Sequence, residues 1–374
     1  MDMEKKSGRN NSLELVRMFA ALMILLHHID QFFWGGDVFS GILALYVELF
    51  FMITGFFLMV HMDKEESAGE SSWDYLLHKI KGFFAPLCIA NAVHLLLFCL
   101  MNHVDSVKGV FDTIYHFKWE FILLQCAGFL QAPQFNSDYL IGATWYISAM
   151  MLALVFAFPL VKHWRKGYVY ILCPLSIIYV YSGAVQHYGD IDIGNGFMNM
   201  LSDAIIRGFA GIAAGVLCYE AYRFLEKKDI FHKSYWQVLD ILSWLMLPGS
   251  VVMAYFGVSD SDFFILIPFG VVIISAIKGV SIMPRALSRI PSGAALFLGR
   301  FSFYVYLTQF TAIFFVMTYC SMLDVTLQIL VVLGIIIVYS LLLYFFEKKR
   351  KHVYPVVIAC AVPIIACIVN ALIV

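Results

Sequence analysis

Apolar stretches long enough to cross a bilayer recur from one end of this chain to the other, and no other feature limits its fold so severely. A helix needs roughly 20 apolar residues to span the hydrocarbon layer. Such segments, set apart by charged or turn-forming residues, fall at 12–34, 40–61, 83–101, 139–161, 168–184, 200–220, 237–256, 262–278, 295–317, 324–346 and 354–373. The stretch 119–131 is shorter and polar at its ends, which predicts a re-entrant or interfacial piece. Of the 374 residues, 61% are hydrophobic and 14% charged, against about 25% charged in ordinary soluble domains. A water-soluble fold has no place for that much apolar surface. The expected fold is therefore all-α, a polytopic transmembrane bundle of about ten to eleven spans.

A net charge of −1 gives no electrostatic case for nucleic acid, and no finger, Walker or glycine-rich phosphate loop appears. The eight cysteines stand singly in or beside apolar stretches, without the pairing that zinc or redox sites need, so no metal is expected. Lys5, Lys6 and Arg9 precede the first apolar run in the manner of a signal peptide. No small-residue cleavage site follows, and the run reads as a retained helix.

Positive residues flanking spans are held in the cytoplasm. One set of loops carries Lys5, Lys6 and Arg9; Lys64, Lys79 and Lys81; Lys162, Arg165 and Lys166; Arg223, Lys227, Lys228 and Lys233; Lys278, Arg285 and Arg289; and Lys348 to Lys351. The opposite set holds only Lys108 and Lys118. The N-terminus is expected in the cytoplasm, with a tail over 1–11, and the C-terminus outside.

Ionisable side chains inside a span cost roughly 2.5–3.5 kcal/mol each at the centre, so each calls for a partner, a cavity or a function. The first span carries Glu14, Arg17, His27, His28 and Asp30. Arg17 and His28 are eleven residues apart, which returns to within about 20° of one direction and separates them by about 16 Å along the axis. Glu14 stands one turn before Arg17 and can pair with it. Histidine is well suited to take a proton near neutral pH, and arginine to hold a phosphate or an oxyanion. Spacing alone leaves a second reading open, in which both side chains merely snorkel toward opposite interfaces.

The run from Arg17 to His28 resembles the opening Arg-x10-His signature of the acyltransferase 3 family. Other segments agree in order and spacing: Tyr46 to Phe56, with Phe50, Phe51, Thr54 and Gly55, looks like the second-helix Phe-Phe-x-x-Ser-Gly-Phe stretch. His78, Lys79, Lys81 and Pro86 are similar to the basic stretch before the third helix; Trp145–Tyr146 through Pro159–Leu160 and Gly299 through Leu307 resemble later segments. The likeness covers about Asn10 to Phe346, giving an acyltransferase-like transmembrane domain over 12–346, then a basic loop and an additional helix over 347–374. Lysines replace the usual arginines of the basic stretch, and Gln309 stands where a histidine often follows the late Tyr-Leu pair.

The resemblance implies an integral enzyme of the bacterial cytoplasmic (inner) membrane. It would move an acyl group, acetyl above all, from cytoplasmic acyl-CoA to a hydroxyl of a cell-surface or lipid-linked glycan. Acyl-CoA is then a co-substrate and no cofactor is permanently bound. In this scheme His28 and Arg17 are catalytic, with His28 activating the acceptor or relaying the acyl group, and Lys79 and Lys81 join Arg17 in holding the donor. Glu48, Trp145, Asp203 and Arg207 are candidate substrate-binding residues: Asp203 and Arg207 share a helix face, Trp145 can stack on a sugar or anchor at the interface, and Glu48 could meet Arg17. His94 and Asn91 are expected to make interhelical hydrogen bonds. The main rival is a transporter or flippase for a glycan or its lipid carrier, though no internal repeat of the kind common in transporters appears; a receptor without chemistry is a third reading.

Overall fold

The computed structural model describes residues 10–39, 41–64, 69–104, 106, 108–109, 112–113, 128, 141–189, 203–257 and 263–349. Eleven α-helices are described: α1 Asn11–Phe33, α2 Tyr46–Met62, α3 Ser72–Met101, α4 Trp145–Gly167, α5 Cys173–Tyr188, α6 Asp203–Lys227, α7 Ser234–Tyr255, α8 Leu266–Lys278, α9 Ile282–Leu287, α10 Ser292–Tyr319 and α11 Val325–Lys349. There is no strand among the described residues, and eight helical stretches are long and apolar enough to cross a membrane. The expected all-α membrane architecture is what the chain adopts. The segments at 119–131 and 354–373 lie outside the described residues, apart from the single position Gly128.

Three boundaries differ from the sequence reading. The segments 139–161 and 168–184 belong to one helical stretch, Gly142–Gln186, of 45 residues. Straight, it would measure about 68 Å, more than twice the hydrocarbon thickness. It is broken where Trp164 leaves helical geometry (φ −139°, ψ 41°) and by a π-helical turn at Tyr168–Leu172, so the two segments part at a bend in place of a loop. The third helix starts at Ser72, well before residue 83, because Ser71 and Asp74 form a capping box: the Asp74 N–H donates to Ser71 Oγ (3.1 Å) and the Ser71 N–H to the Asp74 carboxylate (3.3 Å). Its 30 residues extend about 45 Å, some 15 Å more than the bilayer core. Lastly, α8 has only 13 residues and is preceded by the 3-10 turn Phe263–Ile265.

The chain divides into two compact units, residues 1–63, 166–192 and 210–303, and residues 64–165, 193–209 and 304–374. In the first, α2 and α6 pack backbone against backbone. A Cβ on Gly55 would lie 3.1 Å from Gly215 Cα, and one on Gly215 would lie 2.9 Å from Met52 Cα. Small residues permit this approach, and in a membrane close packing replaces the missing hydrophobic drive. The start of α1 and the ends of α2, α6 and α8 gather at one end of this unit. Asn10 Nδ2 donates to Ala276 O (2.5 Å), Lys278 Nζ to Glu226 (2.9 Å), and Arg223 to Asp63 (2.7 Å). These are the chain ends that the lysine and arginine pattern assigns to one face.

At the far end of α1, Asp30 is 1% exposed and ties down the following loop: Val38 N–H donates to Oδ1 and Phe39 N–H to Oδ2, both at 3.1 Å. Asp30→Ala strands both donors and should lower stability by about 1–3 kcal/mol. A fall in the melting temperature of detergent-solubilised protein would register it, and an unchanged melt would count against this anchoring role.

In the second unit, α10 meets α3 and α11 through buried hydroxyls. His94 Nδ1 and Thr311 Oγ1 are 3.0 Å apart, and the Thr308 and Ser340 hydroxyls 3.1 Å. Lys162 Nζ donates to Glu70 O at 2.5 Å, bringing the end of α4 to the start of α3.

Candidate active site

The polar residues of α1 sit in the first unit. Asn10 caps the helix, accepting from Leu13 N–H at 3.1 Å, and Glu14 occupies the first turn, where a carboxylate complements the helix dipole. Glu14 is buried at 3% exposure. Arg17 Nη1 lies 3.6 Å from Glu14 Oε2 while its side chain keeps 30% exposure. At that separation the two charges neutralise each other without a hydrogen bond. No hydrogen bond among the described residues engages the Arg17 guanidinium, so its N–H fork is available to an anion.

His28 is half-buried and His27 buried, their ring centroids 5.5 Å apart. Between Arg17 and His28, Ala20, Ala21, Ile24 and Leu25 are all buried; eleven residues apart on one helix, the two positions fall within about 20° of one direction. Asp30 is not a carboxylate partner for either imidazole, since its oxygens are committed to the loop N–H groups.

Glu48 on α2 is fully buried and accepts a 2.6 Å hydrogen bond from Tyr181 of α5. The contact with Arg17 that the sequence suggested is not made, because Arg17 pairs within its own helix. A Cβ on Gly211 would lie 2.8 Å from Glu48 Oε2, so α6 covers this carboxylate closely.

The second unit holds the remaining candidates. Lys79 and Lys81 lie inside α3, not in a loop before it. Two residues apart, they leave the helix about 200° from each other. Lys79 Nζ lies over the Tyr75 ring, 5.3 Å from its centroid, and Lys81 is exposed. They do not converge on one anion from this helix. Arg207 and Asp203 are both fully buried on the first turns of α6, and the Arg207 guanidinium lies 5.3 Å from the centroid of half-buried Trp145. That cation–π contact is worth most where water is excluded.

His94 bridges α3 and α10 through Thr311 as the sequence led one to expect. Asn91, fully buried one turn earlier, makes no side-chain hydrogen bond among the described residues. The sequence reading passed over Asp240, which is fully buried on α7 among Trp244, Ser275 and Ser281; the Trp244 indole N–H donates to Ser275 Oγ at 3.1 Å. An acidic residue inside a predicted span was the available signal. Among the described residues, no group of three or more His, Cys, Asp and Glu side chains could hold a metal.

The fold and these polar helices define a multi-pass membrane protein with a guanidinium and an imidazole on one helix side. The acyltransferase 3 family profile, described as an acyltransferase domain, matches residues 10–371. The chain belongs to that family and is a membrane acyltransferase. The match includes most of the apolar segment at 354–373, beyond the point where the sequence likeness was placed. No curated protein and no solved structure matches the chain.

Proposed function

We propose that this acyltransferase is an O-acyltransferase of the bacterial inner membrane, carrying an acetyl group from cytoplasmic acetyl-CoA to a hydroxyl of a cell-surface or lipid-linked glycan, with its N-terminus in the cytoplasm. The observation that carries the reading is the arrangement on α1: Arg17, charge-compensated by Glu14 yet with its hydrogen-bond donors unspent, on the same helix side as half-buried His28. A group transfer from a thioester needs an electrophile held by its negative charges and a base for the incoming hydroxyl. Arg17 holds the donor by the negative charges of its phosphates. His28 takes the acceptor's proton as the new C–O bond forms, and returns it to the departing coenzyme thiolate as the C–S bond breaks.

Lys79 and Lys81 act in this reading as separate charges that attract the coenzyme phosphates, not as a joint clamp. Trp145, with the Arg207 guanidinium 5.3 Å from its ring centroid, is the sugar-stacking residue in this reading. Purified protein in detergent or vesicles should consume acetyl-CoA labelled in the acetyl group, and surface glycans from cells lacking the protein should miss an acetyl mass by mass spectrometry. Intact thioester after prolonged incubation with glycan acceptors, together with unchanged glycan masses, would refute the reading and favour a flippase.

A further inference from the structure

We propose that Gly299 and Glu14 are a positioning pair for Arg17, the residue that holds the donor in the reading above, on which this inference rests. Gly299 lies on α10, in the part belonging to the same unit as α1. A Cβ built at Gly299 would lie 2.6 Å from Glu14 Cδ and 2.7 Å from Glu14 Cβ, closer than real Cβ atoms approach any neighbour. The Glu14 side chain therefore fills the space that any other residue at 299 would claim. Helix α10 seals the carboxylate from one side, which accounts for its 3% exposure.

A sealed carboxylate needs counter-charge, and the Arg17 guanidinium stands 3.6 Å from it, one turn further along. Because the pair stands at 3.6 Å, Glu14 fixes where the guanidinium rests without occupying its donors. Glycine at 299 thus sets Glu14, Glu14 sets Arg17, and Arg17 presents an unspent fork to the donor's phosphates. Neither Gly299 nor Glu14 need touch substrate; both act through Arg17.

The role separates from simple packing by its kinetics. Losing the position of a donor-holding cation raises KM for acetyl-CoA by about tenfold with kcat within about threefold. A packing fault instead reduces the amount of folded enzyme and leaves KM alone. The test compares KM for acetyl-CoA in the wild-type protein, Gly299→Ala, Glu14→Gln and Gly334→Ala. The last is a control, since a Cβ there meets open space. Both Gly299→Ala and Glu14→Gln should show the KM rise, and Gly334→Ala should not. If Gly299→Ala does not survive purification, Glu14→Gln, which adds no bulk, decides. Wild-type KM in the surviving variants overturns the positioning role while leaving the donor reading intact. Absence of any acetyl-CoA turnover in the wild-type protein is a different result: it removes the donor reading and this inference with it.

Discussion

Valine at Gly215 should leave little protein that runs as a monodisperse peak on size exclusion in detergent. At Gly215 and Gly55 the seam between α2 and α6 meets main chain, with no side chain to yield, and at Gly211 it meets the Phe51 and Glu48 side chains. A Cβ at Gly215 falls 2.7 Å from the Met52 carbonyl carbon, one at Gly55 falls 2.9 Å from that of Ile212, and one at Gly211 falls 2.6 Å from Phe51 Cβ. Overpacking a core by added methylenes typically costs about 1–3 kcal/mol because neighbouring side chains rotate away. Here the obstacle is main chain, so relief requires parting two whole helices, and the loss should exceed that range. A total stability of about 5–15 kcal/mol leaves little margin for it. Alanine at the same position should lower the melting temperature in the same direction by less, and valine at Gly334 should change it slightly, since that position faces open space. A Gly215→Val protein melting alongside the wild type would show that the seam is not the tight contact described.

The second large effect is expected at His28. His28→Ala should reduce acyl transfer by about 10²–10⁴-fold, the usual contribution of a positioned general base, with membrane insertion and KM for acetyl-CoA close to normal. The imidazole is half-buried on α1, so truncation removes little packing and the protein should still purify. Measured with labelled acetyl-CoA and a glycan acceptor, activity within a few-fold of wild type would exclude His28 from the chemistry.

Much of the architecture is legible in the residues because the bilayer enforces a length rule. Ten of the apolar segments coincide with described helices, even where, as at 262–278, the helix is shorter than the segment. The charge pattern assigns Arg223 and Lys278 to one set of loops, and they lie with Asn10 and Asp63 at one end of a unit. Hydropathy could not see that the helix after Ser71 continues through Trp73, His78, Lys79 and Lys81, because a helix in water and one in lipid share a backbone but not a composition. Nor could it foresee the bend at Trp164, which depends on local dihedrals.

The candidate site was legible in one dimension only. The pairing of Glu14 with Arg17 follows from helix periodicity and is present. Partners on other helices were not accessible to the same reasoning: Glu48 finds Tyr181 across 133 positions of sequence, and the Glu14 carboxylate finds Gly299. A glycine has no chemical signature by which a sequence could announce that it makes room for a carboxylate. Asp240 was visible as a letter but not as a fully buried one.

The length of α3 has a physical consequence for Lys79 and Lys81. A rod that overshoots the hydrocarbon by about 15 Å fixes the height of its cations above the lipid tails, where anionic headgroups attract each by roughly 1 kcal/mol. Thickening the bilayer draws those ammonium groups toward the tails and thinning it frees them toward water, so the thickness of the surrounding membrane sets how much of their charge is hydrated.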